Sequence, residues 1–156
     1  MEKLQSQISL FQVSEINISY KPNFKACERP QISCSKDLYN ILFNNWDQDK
    51  LEFQEQIKII LLNRANKVLG ISEISTGGFA GTVADPKVIF STALKACASS
   101  IILSHNHPSG NLKPSQADLN LTRKIKNGGE LLDIAVLDHI ILTSESYLSF
   151  ADEGLM

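Results

Sequence analysis

From Gln56 to Leu62 the chain reads Gln-Ile-Lys-Ile-Ile-Leu-Leu, a run apolar enough to be a central strand of a sheet. Asn63 to Asn66 then reads as a turn and Lys67 to Ile74 as a second strand, so the two form a hairpin. Upstream, Leu38, Ile41, Leu42 and Trp46 recur at helical spacing. They predict a helix from Lys36 to about Trp46 with Ser35 as its cap, followed by a polar connection over Asp47 to Gln54. Downstream, Gly77, Gly78 and Gly81 mark a loop, and Asp85-Pro86 reads as N-cap and first helical residue. That helix is expected to run to about Ala98, with Phe90, Ala93, Leu94 and Cys97 on one face.

Ser100 to Ser104 is a short buried strand that runs straight into His105-Asn106-His107-Pro108. Pro114-Ser115 opens another helix with Ala117, Leu121 and Ile125 on its inner face, and Gly128-Gly129 is expected to close it. Leu132 to Leu137 and His139 to Leu142 read as strands, with a last short one over Tyr147 to Ala151. The order of helix, two strands, helix, strand, helix and strands predicts an α/β or α+β domain around a central mixed sheet. The domain is expected over 33–156. Residues 1–32 read as an arm or linker, loosely alternating over Ile8 to Tyr20 and loop-like over Lys21 to Pro30.

Composition narrows the function classes. The 156 residues carry a formal net charge of -2, which argues against broad phosphate-driven binding of nucleic acid. Lys113, Arg123, Lys124 and Lys126 read as a solvated helix face. Three cysteines, Cys27, Cys34 and Cys97, with no CxxC pair, argue against a disulfide framework and a four-cysteine zinc site and read as buried or incidental thiols. No cleavable signal pattern and no apolar run of membrane-spanning length occurs, so a soluble cytoplasmic protein with no membrane partner is expected.

The chemistry is concentrated between Ser104 and Asp118. On extended backbone alternate side chains share a face, so His105 and His107 can reach one ion. Asp118 falls in the first turn of the next helix, and the intervening loop is long enough to return its carboxylate to the histidines. Two nitrogens and one oxygen leave a tetrahedral position free, the pattern of a catalytic zinc site. Zn²⁺ there would lower the pKa of water to about 7, supplying hydroxide to attack an amide carbonyl. The Ser115 hydroxyl, one turn before Asp118, is a candidate donor to the resulting oxyanion. Plainer readings stand beside these. The histidines can be loop residues, and Ser115 with Asp118 fits a helix capping box, S-x-x-[DE]. His139, inside an apolar run, reads as a satisfied structural histidine, and Phe43 and Trp46 as core.

His105, His107, Ser115 and Asp118 fit the pattern His-x-His, seven residues, Ser, two residues, Asp. With His-Asn-His-Pro-Ser-Gly and the later LLDIAVLDHIIL and YLSFADEGL, the chain resembles the RadC branch of the JAB/MPN (JAMM) superfamily from about Ser33 to Met156. The resemblance implies a cytidine-deaminase-like mixed, partly curled sheet with flanking helices. It implies one Zn²⁺ per chain on His105, His107 and Asp118, with Ser115 supporting the tetrahedral intermediate. It also implies an upstream glutamate as general base and acid. Glu55 matches, directly before QIKIILL, with Glu52 and Glu73 as rivals. The implied function is a metallopeptidase acting on a peptide or isopeptide bond of a protein or peptide substrate. The alternative is a non-enzymatic module in DNA repair or other DNA-associated processes. Typical RadC proteins also carry an N-terminal helical DNA-binding-like module, for which this chain has no room. A zinc deaminase is disfavoured because no PCxxC ligand pair is present.

Overall fold

The computed structural model describes residues 13–78 and 82–156. The elements are α1 (Ser35–Asn44), α2 (Gln48–Leu51), β1 (Gln56–Leu62), β2 (Val68–Thr76), α3 (Pro86–Lys95), β3 (Ser100–Asn106), α4 (Gln116–Leu131), β4 (Ala135–Leu142) and β5 (Tyr147–Ser149). They build a mixed α/β domain on a five-stranded sheet of order β2-β1-β3-β4-β5. The hairpin β1–β2 is antiparallel, as the hydrophobic pattern predicts. β3 is the middle strand, antiparallel to β1 and parallel to β4. A parallel partner needs a crossover, and α4 provides it.

The two faces of the sheet carry separate cores. Ile57, Ile59 and Leu61 of β1, with Ile101 and Leu103 of β3, pack against α3 and α4 through Ile89, Phe90, Ala93 and Ile125. The intervening residues Ile60, Leu62 and Ile102 pack, with Ile140 and Leu142, against Leu38, Leu42, Trp46 and Leu51. Strand periodicity therefore assigns each β1 or β3 residue to a face by its parity.

Several boundaries differ from the sequence reading, each for a local reason. Cys34, not Ser35, is the N-cap of α1, and Ser35 is the first helical residue. Asp37 closes that end by accepting from the N–H groups of Ser33 and Cys34. The Ser33 bond, opposed by burial and aided by Cys34, holds the Asp37 carboxyl below its usual value. The polar connection contains the short α2, capped by Asp47. β2 runs on to Thr76, past the expected end at Ile74.

α3 ends at Lys95, before the expected Ala98, and Cys97 takes a φ of 53°. The buried face is accordingly Ile89, Phe90 and Ala93, while Leu94 is 51% exposed and Cys97 is exposed. All three cysteines are free, as expected, and exposed, so of the two alternatives they are incidental rather than buried thiols.

Gly128 and Gly129 lie inside α4 rather than closing it. A Cβ at Gly129 would stand 2.3 Å from the Ile134 carbonyl oxygen, so the glycine lets the chain after the helix turn back against it. The inner face of α4 is Asp118, Thr122, Ile125 and Gly129, with Ala117 exposed. In place of the two expected strands over Leu132 to Leu142 there is one, β4, which starts at Ala135 and runs through the buried Asp138 with a register shift just before it.

Residues 13–20 form no regular strand, and the part of the expected arm before Val13, like Gly81, lies outside the described residues. Gln31 bridges Lys67, and the Ile32 and Val68 N–H groups donate to Asn66 and Pro30 carbonyls, which fastens the end of the arm to β2. Among the described residues no helix is long and apolar enough to cross a membrane.

Candidate metal centre

β3 is longer than its apolar run. His105 and Asn106 remain in the ladder, with His105 opposite Ile57 on one side and Ile141 on the other. His105 shares the parity of Ile101 and Leu103 and so faces α4. Pro108 and Gly110, the latter at φ 76°, turn the chain, and it returns to open α4 with Ser115 as N-cap. The helix thereby delivers Asp118 to the histidines.

His105, His107 and Asp118 each offer an atom within 4.8 Å of the other two. The Nε2 atoms of the histidines are 3.0 Å apart. Asp118 Oδ1 lies 3.3 Å from His105 Nε2, and Oδ2 lies 3.9 Å from His107 Nε2. Two donors on one zinc at tetrahedral angles are about 3.3 Å apart, so these separations suit a shared cation. His107 Nδ1 is 2.5 Å from the Asn111 carbonyl oxygen, which can only accept. A neutral His107 therefore carries its proton on Nδ1 and aims a bare Nε2 lone pair at His105. Only a proton or a cation between the rings relieves that approach.

Asp118 combines two roles that the sequence reading set against each other. Its Oδ2 accepts from the N–H and the Oγ–H of Ser115, each at 2.7 Å, while the Asp118 N–H donates to Ser115 Oγ. The capping box is thus complete, and Oδ1 remains directed at His105. Burial raises the Asp118 carboxyl, but the bonds and charge of His105 and the bonds from Ser115 outweigh it and hold the group far below the usual carboxylate range. Ser115 is exposed, and its one hydroxyl proton is committed to Asp118.

Behind His105 stands a buried polar chain that spacing does not reveal. His105 Nδ1 is 2.8 Å from His139 Nε2, and His139 Nδ1 is 2.7 Å from Thr122 Oγ1. Thr122 Oγ1 in turn donates to the Asp118 carbonyl at 2.7 Å. His139 is fully buried, packs against the tilted Phe150 ring with centroids 4.6 Å apart, and stands outside the candidate ligand group. Burial first, then the neighbouring His105, pushes its pKa well below the ordinary value, so it is neutral. It is a satisfied histidine, as expected, but satisfied by a candidate ligand. The signal available in the sequence was the Asp138-His139 pair inside a buried strand, since buried polar groups need partners. Asp138 itself accepts from the His139 and Ala151 N–H groups and the Ser149 hydroxyl, locking the segment after β5 onto β4.

The three glutamates occupy different places. Glu55 is half-buried at the mouth of β1, and its carbonyl accepts from Gly77 N–H. In the numbering it continues the odd series of Ile57 and Ile59, which pack on the His105 face. Glu73 accepts from Gln56 Nε2 and Thr76 Oγ1 and stands 4.0 Å from Lys58, whose ammonium lies over the Trp46 ring on the opposite face. Burial lowers the Lys58 pKa, against the pull of Glu73. Glu52 is exposed and accepts from Ser144 Oγ. Lys113, Arg123 and Lys124 are exposed, consistent with a solvated face.

Comparison with known proteins shows the family. The family model of the RadC-like JAB domain matches residues 32–155. A UPF0758 protein of Flavobacterium johnsoniae is 48% identical over 101 residues, covering 65% of this chain and 44% of that protein. One of Desulfitobacterium hafniense is 34% identical, covering 82% of this chain and 55% of the relative. One of Clostridium botulinum is 34% identical, covering 94% and 63%. The chain thus spans about half the length of these curated relatives.

Proposed function

The chain belongs to the RadC-like JAB domain family, and from that premise we propose that it is a zinc-dependent hydrolase that cleaves an amide bond, in a peptide or isopeptide, with water. The carrying observation is the convergence of two imidazole nitrogens and one carboxylate, spaced as the ligands of one ion. Zinc held there would acidify water and polarise the scissile carbonyl.

The remaining work falls to the protein. Glu55 is the preferred general base because it continues the odd-numbered series of Ile57 and Ile59, which faces His105, and its carboxylate, unlike those of Glu73 and Glu52, is not held by another side chain. Its carboxylate takes the proton from the attacking water and returns it to the leaving amine. Ser115 stabilises the oxyanion by turning its hydroxyl from Asp118 Oδ2 to the substrate oxygen, while the Ser115 N–H keeps Oδ2 occupied. The substrate is a protein or peptide, and the setting is the cytoplasm.

The test is to strip the purified chain with chelator, reload it with Zn²⁺, measure bound metal, and assay a peptide and isopeptide library against a Glu55→Gln control. One zinc per chain and turnover lost in the control are expected. Failure to take up zinc, or equal turnover by wild type and Glu55→Gln, would overturn the reading.

A further inference from the structure

We infer that His139 and Thr122, neither of them a ligand, are positioning residues that present His105 to the cation; this rests on the metal reading above. The hydrogen-bonded chain from His105 through His139 and Thr122 to the Asp118 carbonyl is buried, and each contact is 2.7 or 2.8 Å long. It can be threaded by protons in two directions. In one, Thr122 Oγ–H donates to the Asp118 carbonyl, His139 Nδ1–H donates to Thr122 Oγ, and His105 Nδ1–H donates to His139 Nε2. Every donor then has an acceptor, and His105 Nε2 is left bare, beside the bare Nε2 of His107. In the other, Thr122 donates to His139 Nδ1, His139 Nε2–H donates to His105 Nδ1, and the His105 proton sits on Nε2, in the place the cation needs.

Only the first threading is compatible with a metal on His105 Nε2. It requires an acceptor for the His105 Nδ1 proton, which His139 supplies, and an acceptor for the His139 Nδ1 proton, which Thr122 supplies. The Asp118 carbonyl completes it by turning the Thr122 lone pairs toward His139. One chain of contacts therefore orients His105 and ties it to the turn of α4 that carries the Asp118 carboxylate. The sequence separation of 34 residues between His105 and His139 is closed by the parallel pairing of β3 with β4.

The experiment measures Zn²⁺ affinity by competition with a chromophoric chelator, and reads histidine tautomers by ¹⁵N NMR on the zinc-loaded full chain. In the wild type, His105 and His139 are both expected to carry protons on Nδ1. His139→Leu and Thr122→Val are expected to weaken zinc binding about 10- to 100-fold, the usual cost of losing such an outer partner. His139→Gln, which keeps an acceptor toward His105, and Thr122→Ser, which keeps the hydroxyl, are expected to recover most of that loss. A zinc-loaded wild type with the His139 proton on Nε2 would overturn the assignment. So would zinc affinity unchanged in Thr122→Val, a near-isosteric change that decides the matter even if His139→Leu does not fold. A wild type that binds no zinc overturns the metal reading as well; a wild type that binds it with these variants unaltered overturns the relay alone.

Discussion

Asn106, the residue between the two candidate ligands, accepts the main-chain N–H of Gln56 on its Oδ1 at 2.7 Å. Its Nδ2 donates to the carbonyls of Leu51 and Gln54 at 2.7 and 2.8 Å. The side chain thus grips the backbone on both sides of Glu55, from the sheet face opposite to that of the histidines. Asn106→Ala leaves these groups unpaired and is expected to destabilise the fold by roughly 2–4 kcal/mol. Zinc affinity is expected to change little, while turnover falls because the segment bearing Glu55 loses its anchor. Chemical denaturation beside a zinc titration checks both; a variant as stable as the wild type contradicts the role.

Metal uptake is expected to depend on each ligand. His105→Ala and Asp118→Ala should lose the bound ion, and the wild type should unfold at higher temperature as free Zn²⁺ increases. At a hundredfold excess over Kd the added stability is about 2.7 kcal/mol. Calorimetric scans with and without the ion measure it. Identical scans for the wild type would contradict the metal site.

Ser115→Ala separates cap from catalyst. Loss of the cap is expected to cost about 1 kcal/mol of stability. Loss of the oxyanion donor is expected to lower kcat about 10²- to 10³-fold. A variant that loses stability but keeps its rate assigns Ser115 to capping alone.

Acid is expected to weaken the metal-free protein through Asp118. Because the folded state holds this carboxyl below its ordinary value of 3.8, unfolding takes up a proton at low pH. The contribution is therefore complete above that value and is lost as pH falls toward the lower folded-state pKa. Stability of chelator-treated protein measured between pH 7 and the acid range should fall less steeply in Asp118→Asn; parallel curves would contradict the assignment.

The two adjacent glycines of α4 are expected to respond differently. Gly129→Ala forces a Cβ against a backbone carbonyl at 2.3 Å and is expected to cost at least about 2 kcal/mol, despite the better helix propensity of alanine. Gly128→Ala meets the rim of the Phe90 ring at 2.7 Å, a side chain that can shift, and is expected to be milder. Equal denaturation midpoints for the two variants would contradict this.

How far the chain could be read from sequence follows from where its signals are local. The bounds of β1 were legible because five apolar residues among seven, Gln56 and Lys58 being the others, suit a strand buried on both faces. Those of β3 were not, because the ladder extends over the polar His105 and Asn106, whose partners are distant. α2 is too short and polar to announce itself, and Gly128-Gly129 looked like a terminator because the close approach of Ile134 is a tertiary fact. The candidate ligand trio was legible as a cluster, since two histidines on one strand face and a carboxylate at a helix start are near in sequence. The Thr122–His139 chain was not, because it arises only when β4 lies beside β3. Asn106 was passed over because its partners, Leu51, Gln54 and Gln56, are brought to it only when β3 pairs with β1.

The parallel pairing of β3 with β4 through α4 has a final implication. His105, His107, Asp118, Thr122 and His139 all belong to one uninterrupted stretch of chain, whereas Glu55 enters from the separate β1–β2 hairpin. On the proposed mechanism, the candidate ion ligands and the proton-transferring glutamate are thus written on different modules. A descendant could discard its acid–base glutamate and survive as a cation-holding scaffold, and a transplanted β3–α4–β4 unit would carry the whole coordination apparatus to a new host.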